Sequence, residues 1–221
     1  MKLLDEGCRV YSPTDGQVAT LGTWTARTVI CQATGAKQIT QTVSEYTPEG
    51  LVGQAYSPVL PGFMNPLAEE VLYVASGEGL CRIRGDHYAL RRGAAVFVPP
   101  GAVCQIENTG SETLRIVSSC CPEDPGRRIT EPIQSAETSL VRRDGAADTS
   151  VRATLTVHED DREVIRAGAD RMFRFLVHTD LGCRNVTQFV GWIPPSRAPF
   201  HFHTYEECIF ILEGQGILHL E

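Results

Sequence analysis

With 221 residues, the chain is long enough for one large domain or two small ones built on a real hydrophobic core. Its 42% apolar and 21% charged residues are ordinary for a globular protein, and a net charge of −7 offers nothing to a phosphate backbone or an anionic membrane. No apolar run reaches the ~18–20 residues of a membrane helix, and Met1-Lys2-Leu3-Leu4-Asp5-Glu6 turns acidic too early for a signal peptide, so a cytoplasmic protein is expected.

Along the chain, apolar and β-branched residues alternate in short runs bounded by Gly, Pro or Asn. Strands are expected over 28–31, 37–43, 71–74, 94–98 and 114–117, then over 173–177, 185–192 and 207–212. No stretch of helical length carries an apolar stripe, so the fold class is all-β, a sandwich or barrel. Residues 126–171 are richer in charge, Ser, Thr and Gly, and hold the acidic run Glu159-Asp160-Asp161. They read as a connecting segment, with an edge strand expected over 152–157. Eight cysteines (8, 31, 81, 104, 120, 121, 183 and 208) show no CxxC spacing and sit mostly in apolar runs. They read as small buried hydrophobes, with Cys120-Cys121 the place where a redox or metal role would sit.

The chain also repeats itself. Arg27-Thr28-Val29-Ile30 lines up with Arg174-Phe175-Leu176-Val177, an offset of 147, and Ile39-Thr40-Gln41, Val43 and Pro48 match Val186-Thr187-Gln188, Val190 and Pro195 at the same offset. Glu70-Val71-Leu72-Tyr73 then matches Glu207-Cys208-Ile209-Phe210, and Gly77-Glu78-Gly79 matches Gly214-Gln215-Gly216, both at an offset of 137. The first copy therefore holds an insertion near 51–60. An ordered series of this kind implies a duplicated unit. The second copy is shorter: Glu221 stands opposite Arg84, and the stretch 85–121 has no counterpart.

The strongest chemical signal is Pro199-Phe200-His201-Phe202-His203-Thr204-Tyr205-Glu206-Glu207. In a strand, His201 and His203 share a face with Cα atoms roughly 7 Å apart. A short reversal would bring Glu207 onto the same face from the neighbouring strand. Two imidazoles and a carboxylate suit iron, manganese, zinc, nickel or copper.

This second copy resembles the cupin superfamily, whose first motif runs G-x5-H-x-H-x3,4-E-x6-G. His201, His203, Glu207 and Gly214 occupy its positions, and only the opening glycine is missing. The first copy resembles the family's second motif, G-x5-P-x-G-x2-H-x3-N, through Gly93, Pro99, Gly101 and Asn108. The resemblance implies a bicupin: two double-stranded β-helix (jelly-roll) barrels, with the first over 1–125, a connector over 126–171 and the first half of a second over 172–221. In the first barrel Met64 and Pro66 stand where histidines belong and Cys104 replaces the second motif's histidine, so that barrel is expected to hold no metal. The second keeps His201, His203 and Glu207 as metal ligands; His219 is a weak surrogate for the fourth.

The resemblance implies a small-molecule metalloenzyme holding a divalent transition metal, iron or manganese first, with zinc, nickel or copper as alternatives. Dioxygenase-type oxidoreductase chemistry leads, ahead of decarboxylase or isomerase chemistry. Tyr205 and Glu206 are candidates for acid–base work, and Arg197 for gripping a substrate carboxylate. The alternatives are a non-catalytic binding or sensor cupin, or an inactive truncated form. A half-barrel leaves strand edges that recruit another chain, so a homo-oligomer, a dimer, is expected, with a small molecule and neither nucleic acid nor membrane as partner.

Overall fold

The computed structural model describes residues 2–3, 8–12, 14–48, 62–123, 128–129, 154–168 and 170–219. The strands, in chain order, are β1 (Lys2–Leu3), β2 (Arg9–Val10), β3 (Gln17–Leu21), β4 (Trp24–Ile30), β5 (Thr40–Tyr46), β6 (Phe63–Met64), β7 (Glu69–Ser76), β8 (Glu78–Ile83) and β9 (Asp86–Arg91). They continue with β10 (Ala94–Val98), β11 (Cys104–Asn108), β12 (Leu114–Cys121), β13 (Arg128–Ile129), β14 (Thr156–His158), β15 (Ile165–Ala167), β16 (Arg171–Val177) and β17 (Gln188–Trp192). The described residues contain no α-helix, only three single-turn 3₁₀ segments, and no helix among them is long and apolar enough to cross a membrane. The protein is all-β.

A seven-stranded sheet in the order β14-β10-β7-β12-β5-β4-β3 faces a five-stranded sheet in the order β13-β6-β11-β8-β9. Their facing side chains form one core, in which Leu72, Val74, Val96, Leu114 and Ile116 meet Cys81, Ile83, Cys104 and Ile106. The sequence pattern records what covers each strand. In β8, Glu-Gly-Leu-Cys-Arg-Ile is most deeply buried at every second residue, because one face of that sheet meets water. In β7, Glu69 to Val74 are all buried, so both faces of that central strand are covered. The core continues past it into Leu155, Leu176, Val177, Leu181, Cys183 and Val190, and the second copy thus packs on the outer face of the seven-stranded sheet.

The connector contributes the expected edge strand, shifted to β14, which pairs Thr156, Val157 and His158 with Val96, Ala95 and Ala94. The insertion near 51–60 and most of 126–153 lie outside the described residues.

The repeat is a repeat of register. In β4–β5, Thr25 pairs with Glu45, Arg27 with Val43 and Thr28 with Thr42, and a bulge precedes Ile30–Gln41. At an offset of 147, Met172 pairs with Trp192, Arg174 with Val190 and Phe175 with Phe189, and the same bulge precedes Val177–Gln188. Each hairpin then enters a 3₁₀ turn, Gln32–Thr34 or Thr179–Leu181, closed by a glycine in the left-handed region: Gly35 at φ 101° and Gly182 at φ 87°.

One expectation fails. Residues 207–212 are not a strand, nor are 201–203: no strand is assigned anywhere in 193–219. The physical reason is the ladder. In the first copy β7 is held between β10 and β12. Among the described residues no strand pairs with the equivalent segment of the second copy, so the backbone ladder that completes β7 is not formed there.

Candidate metal centre

Although the segment is not a strand, it brings the three predicted ligands into one neighbourhood. The imidazole rings of His201 and His203 lie edge to face with centroids 5.0 Å apart. His203 Nε2 is 3.4 Å from Glu207 Oε2. His201 Nδ1 donates to the carbonyl oxygen of Pro199 at 2.9 Å. A carbonyl can only accept, so the proton belongs on Nδ1 and the lone pair on Nε2, the tautomer a metal-binding histidine needs. The ligand types fit a first-row divalent cation: two neutral nitrogens and one anionic oxygen. Their present arrangement is looser than a coordination sphere, and among the described residues no group of three His, Cys, Asp or Glu side chains is yet disposed around one point.

The other candidates separate. Tyr205 is exposed and lays its ring against His203, with centroids 4.8 Å apart. Arg197 and His219 are exposed in irregular chain. Glu206 points away from the histidines: its carboxylate accepts the backbone N–H groups of Lys37 at 2.7 Å, Gln38 at 2.8 Å and Ile39 at 3.0 Å. Both oxygens of Glu206, a candidate for acid–base work, are thus engaged by backbone N–H groups of the first copy.

A residue that sequence reasoning passed over mirrors it. Glu69 Oε2 accepts the backbone N–H groups of Arg184 at 2.9 Å and Asn185 at 2.6 Å, and the Cys183 thiol at 3.3 Å. Glu69 stands opposite Glu206 at the offset of 137, and Arg184 and Asn185 stand opposite Lys37 and Gln38 at 147. Each copy thus clasps the same loop of the other with the same acid. Extending the Glu70/Glu207 match by one residue toward the N-terminus exposes the signal.

Thiols gather around these clasps. Burial, reinforced by the hydrogen bond to Glu69, pushes the Cys183 thiol up to about 12. Burial, with the negative charges of Glu206 and Glu207, does the same to Cys208. Cys121 is raised for the same reasons, burial first and then Glu206 and Glu69. All eight cysteines are free; five are buried and three half-buried. Cys120 and Cys121 are both buried, and consecutive residues of β12 face opposite sides of the sheet, so they do not form a joint site.

In the first copy the metal positions are filled by a different chemistry. Glu70 is fully buried and accepts the side-chain amide of Asn65 at 2.6 Å, so it is hydrogen-bonded rather than solvated. Cys104, at the second-motif histidine position, is fully buried with its sulfur 3.4 Å from that of Cys81. Asn108 holds the loop beyond β11, donating to the carbonyl oxygens of Tyr46 and Glu112.

Residues 63–120 match the cupin domain. The match runs from β6 almost to the end of β12, so it covers the strands that enclose Glu70 and Cys104. An uncharacterized protein of Methanocaldococcus jannaschii is 31% identical over 58 residues, 26% of this chain and 45% of that protein. The tetracenomycin polyketide synthase protein TcmJ of Streptomyces glaucescens is 33% identical over 73 residues, 31% of this chain and 49% of TcmJ. The chain thus spans about half the length of these curated relatives. Among solved structures, a protein with a double-stranded β-helix domain from Klebsiella pneumoniae is 22% identical, with a TM-score of 0.44 over 56% of this chain and 98% of that one.

Proposed function

We propose that the protein is a bicupin whose second copy binds a divalent transition metal through His201, His203 and Glu207 and acts on a small molecule. The observation that carries this reading is the meeting of His203 with both other ligands, at 3.4 Å from the Glu207 carboxylate and 5.0 Å between imidazole centroids. The shared register of the two hairpins and the paired clasps support a duplicated cupin. The loss of both histidines at Met64 and Pro66 supports a metal in the second copy rather than the first.

Iron and manganese lead as occupants, with zinc, nickel and copper behind them. A bound cation with open positions supplies Lewis acidity toward carboxylate, enolate or hydroxyl oxygens, and dioxygen activation if it is iron. In this chain His201, with Nδ1 tied to Pro199, presents Nε2, and Tyr205, its ring 4.8 Å from that of His203, is a group near enough to hold or move a proton. Dioxygenase-type chemistry is the first reaction class to assay, followed by decarboxylation and isomerisation.

The test is elemental analysis of metal per chain in wild type and His201→Ala. The reading predicts near-stoichiometric iron or manganese in the wild type and loss of most of it in the variant. Full retention would reject it. Oxygen uptake on a diketone, a phenol or an oxalate-like acid then addresses turnover. A non-catalytic binding module is the second reading, favoured by the engagement of Glu206 in the clasp, which removes one acid–base candidate. Metal-free protein that still binds a small molecule would support that second reading.

Self-association belongs to the same proposal. Phe202 is 85% exposed, Ile217 83% and Ile209 64%, on the segment that lacks ladder partners. Apolar side chains beside unpaired backbone favour burial against another chain, and gel filtration at several concentrations reports it.

A further inference from the structure

Glu206 and Glu207 are consecutive, and their carboxylates have different partners. Glu207 approaches His203 at 3.4 Å, while Glu206 is gripped by three backbone N–H groups of the first copy. The segment that carries the ligands has no strand assigned to it, so a β-ladder does not hold Glu207 in place. We propose that Glu206 is a positioning residue for the metal centre: the amides of Lys37, Gln38 and Ile39 fix its carboxylate and thereby set Glu207 beside His203.

This inference rests on the metal reading above and gives the first copy a task in it. A carboxylate with three N–H donors is strongly oriented, because charge-assisted hydrogen bonds are shorter and stronger than neutral ones. The equivalent clasp at Glu69 makes the comparison internal. It joins the same two copies with the same chemistry, but its neighbour is Glu70, which accepts from the Asn65 amide. If the clasps serve only to glue the copies together, the two acids are interchangeable. If Glu206 positions a ligand, only its loss reaches the metal.

The experiment titrates Mn(II) into the full chain, followed by calorimetry and by the Mn(II) electron paramagnetic resonance spectrum, for wild type, Glu206→Ala, Glu206→Gln and Glu69→Ala. Loss of a group that orients a metal ligand costs about 10–100-fold in affinity. Glu206→Ala is expected to weaken Mn(II) by that factor and to change the spectrum. Glu206→Gln, which keeps one acceptor oxygen, falls between, and Glu69→Ala binds close to wild type. Wild-type affinity in folded Glu206→Ala, or equal weakening by Glu69→Ala, would overturn the proposal. Amide exchange at residues 37–39 in metal-free protein separates the two readings. It is expected to accelerate in Glu206→Ala, and unchanged exchange would overturn the clasp whatever the metal does. Wild type that binds no Mn(II), or any other divalent transition metal, would instead overturn the metal reading, and this one with it.

Discussion

Replacing Glu69 by alanine measures what a clasp contributes to stability. The side chain is 5% exposed, and its Oε2 accepts from Arg184 N at 2.9 Å and Asn185 N at 2.6 Å. The substitution leaves two part-buried N–H groups without that acceptor, and a buried donor left unmade costs about 1–3 kcal/mol. Two such donors cost about 2–6 kcal/mol together, toward the low end if water enters the vacated space. Urea denaturation followed by tryptophan fluorescence reads this directly, since Trp24 lies in the first copy and Trp192 in the second. The Cys183 thiol supplies a second, local signal: with the carboxylate gone, its alkylation begins at a lower pH while its burial persists. A destabilisation below about 0.5 kcal/mol, the range of ordinary surface substitutions, would refute the clasp as a structural element.

Leu72 is 1% exposed at the centre of β7, and Leu72→Ala is expected to cost about 2–5 kcal/mol in the same urea assay. A cost under 1 kcal/mol would mean that the two sheets do not pack as described. The thiol of Cys183 lies at about 12 against an ordinary 9.0, so it stays protonated through neutral pH. Iodoacetamide at pH 8 is expected to modify half-buried Cys8 well before Cys183, as mass spectrometry resolves. Because the folded value is raised, its contribution to stability is complete below about pH 9 and is lost as pH climbs toward about 12. Unchanged stability between those limits would contradict the environment assigned to it.

The repeat was legible because it is written residue by residue: Arg27 and Arg174 occupy matching register positions, and so do Val43 and Val190. The strands of the first copy were legible for the same kind of reason, since alternation in β8 and the apolar run of β7 report burial directly. The segment 207–212 misled because its residue types match β7 while no described strand pairs with it. Residue preference proposes a strand, but neighbours complete it. The clasps were hidden because they join side chain to backbone across 115 and 168 residues of chain, which no local pattern displays. The approach of Cys104 to Cys81 was hidden for a related reason. Cys81 sits on the adjacent strand, displaced two residues along the β8–β11 ladder from the residue directly opposite Cys104. Of the predicted ligand set, the structure shows two neighbouring contacts, His201 with His203 and His203 with Glu207, within irregular chain rather than across two strands.

The central claim is that two imidazoles and one carboxylate share a cation. X-ray absorption at the metal edge of the iron- or manganese-loaded protein tests it most directly. The account predicts first-shell nitrogen and oxygen near 2.0–2.2 Å, with the outer-shell scattering of about two imidazoles. A spectrum with oxygen alone and no imidazole scattering would contradict it.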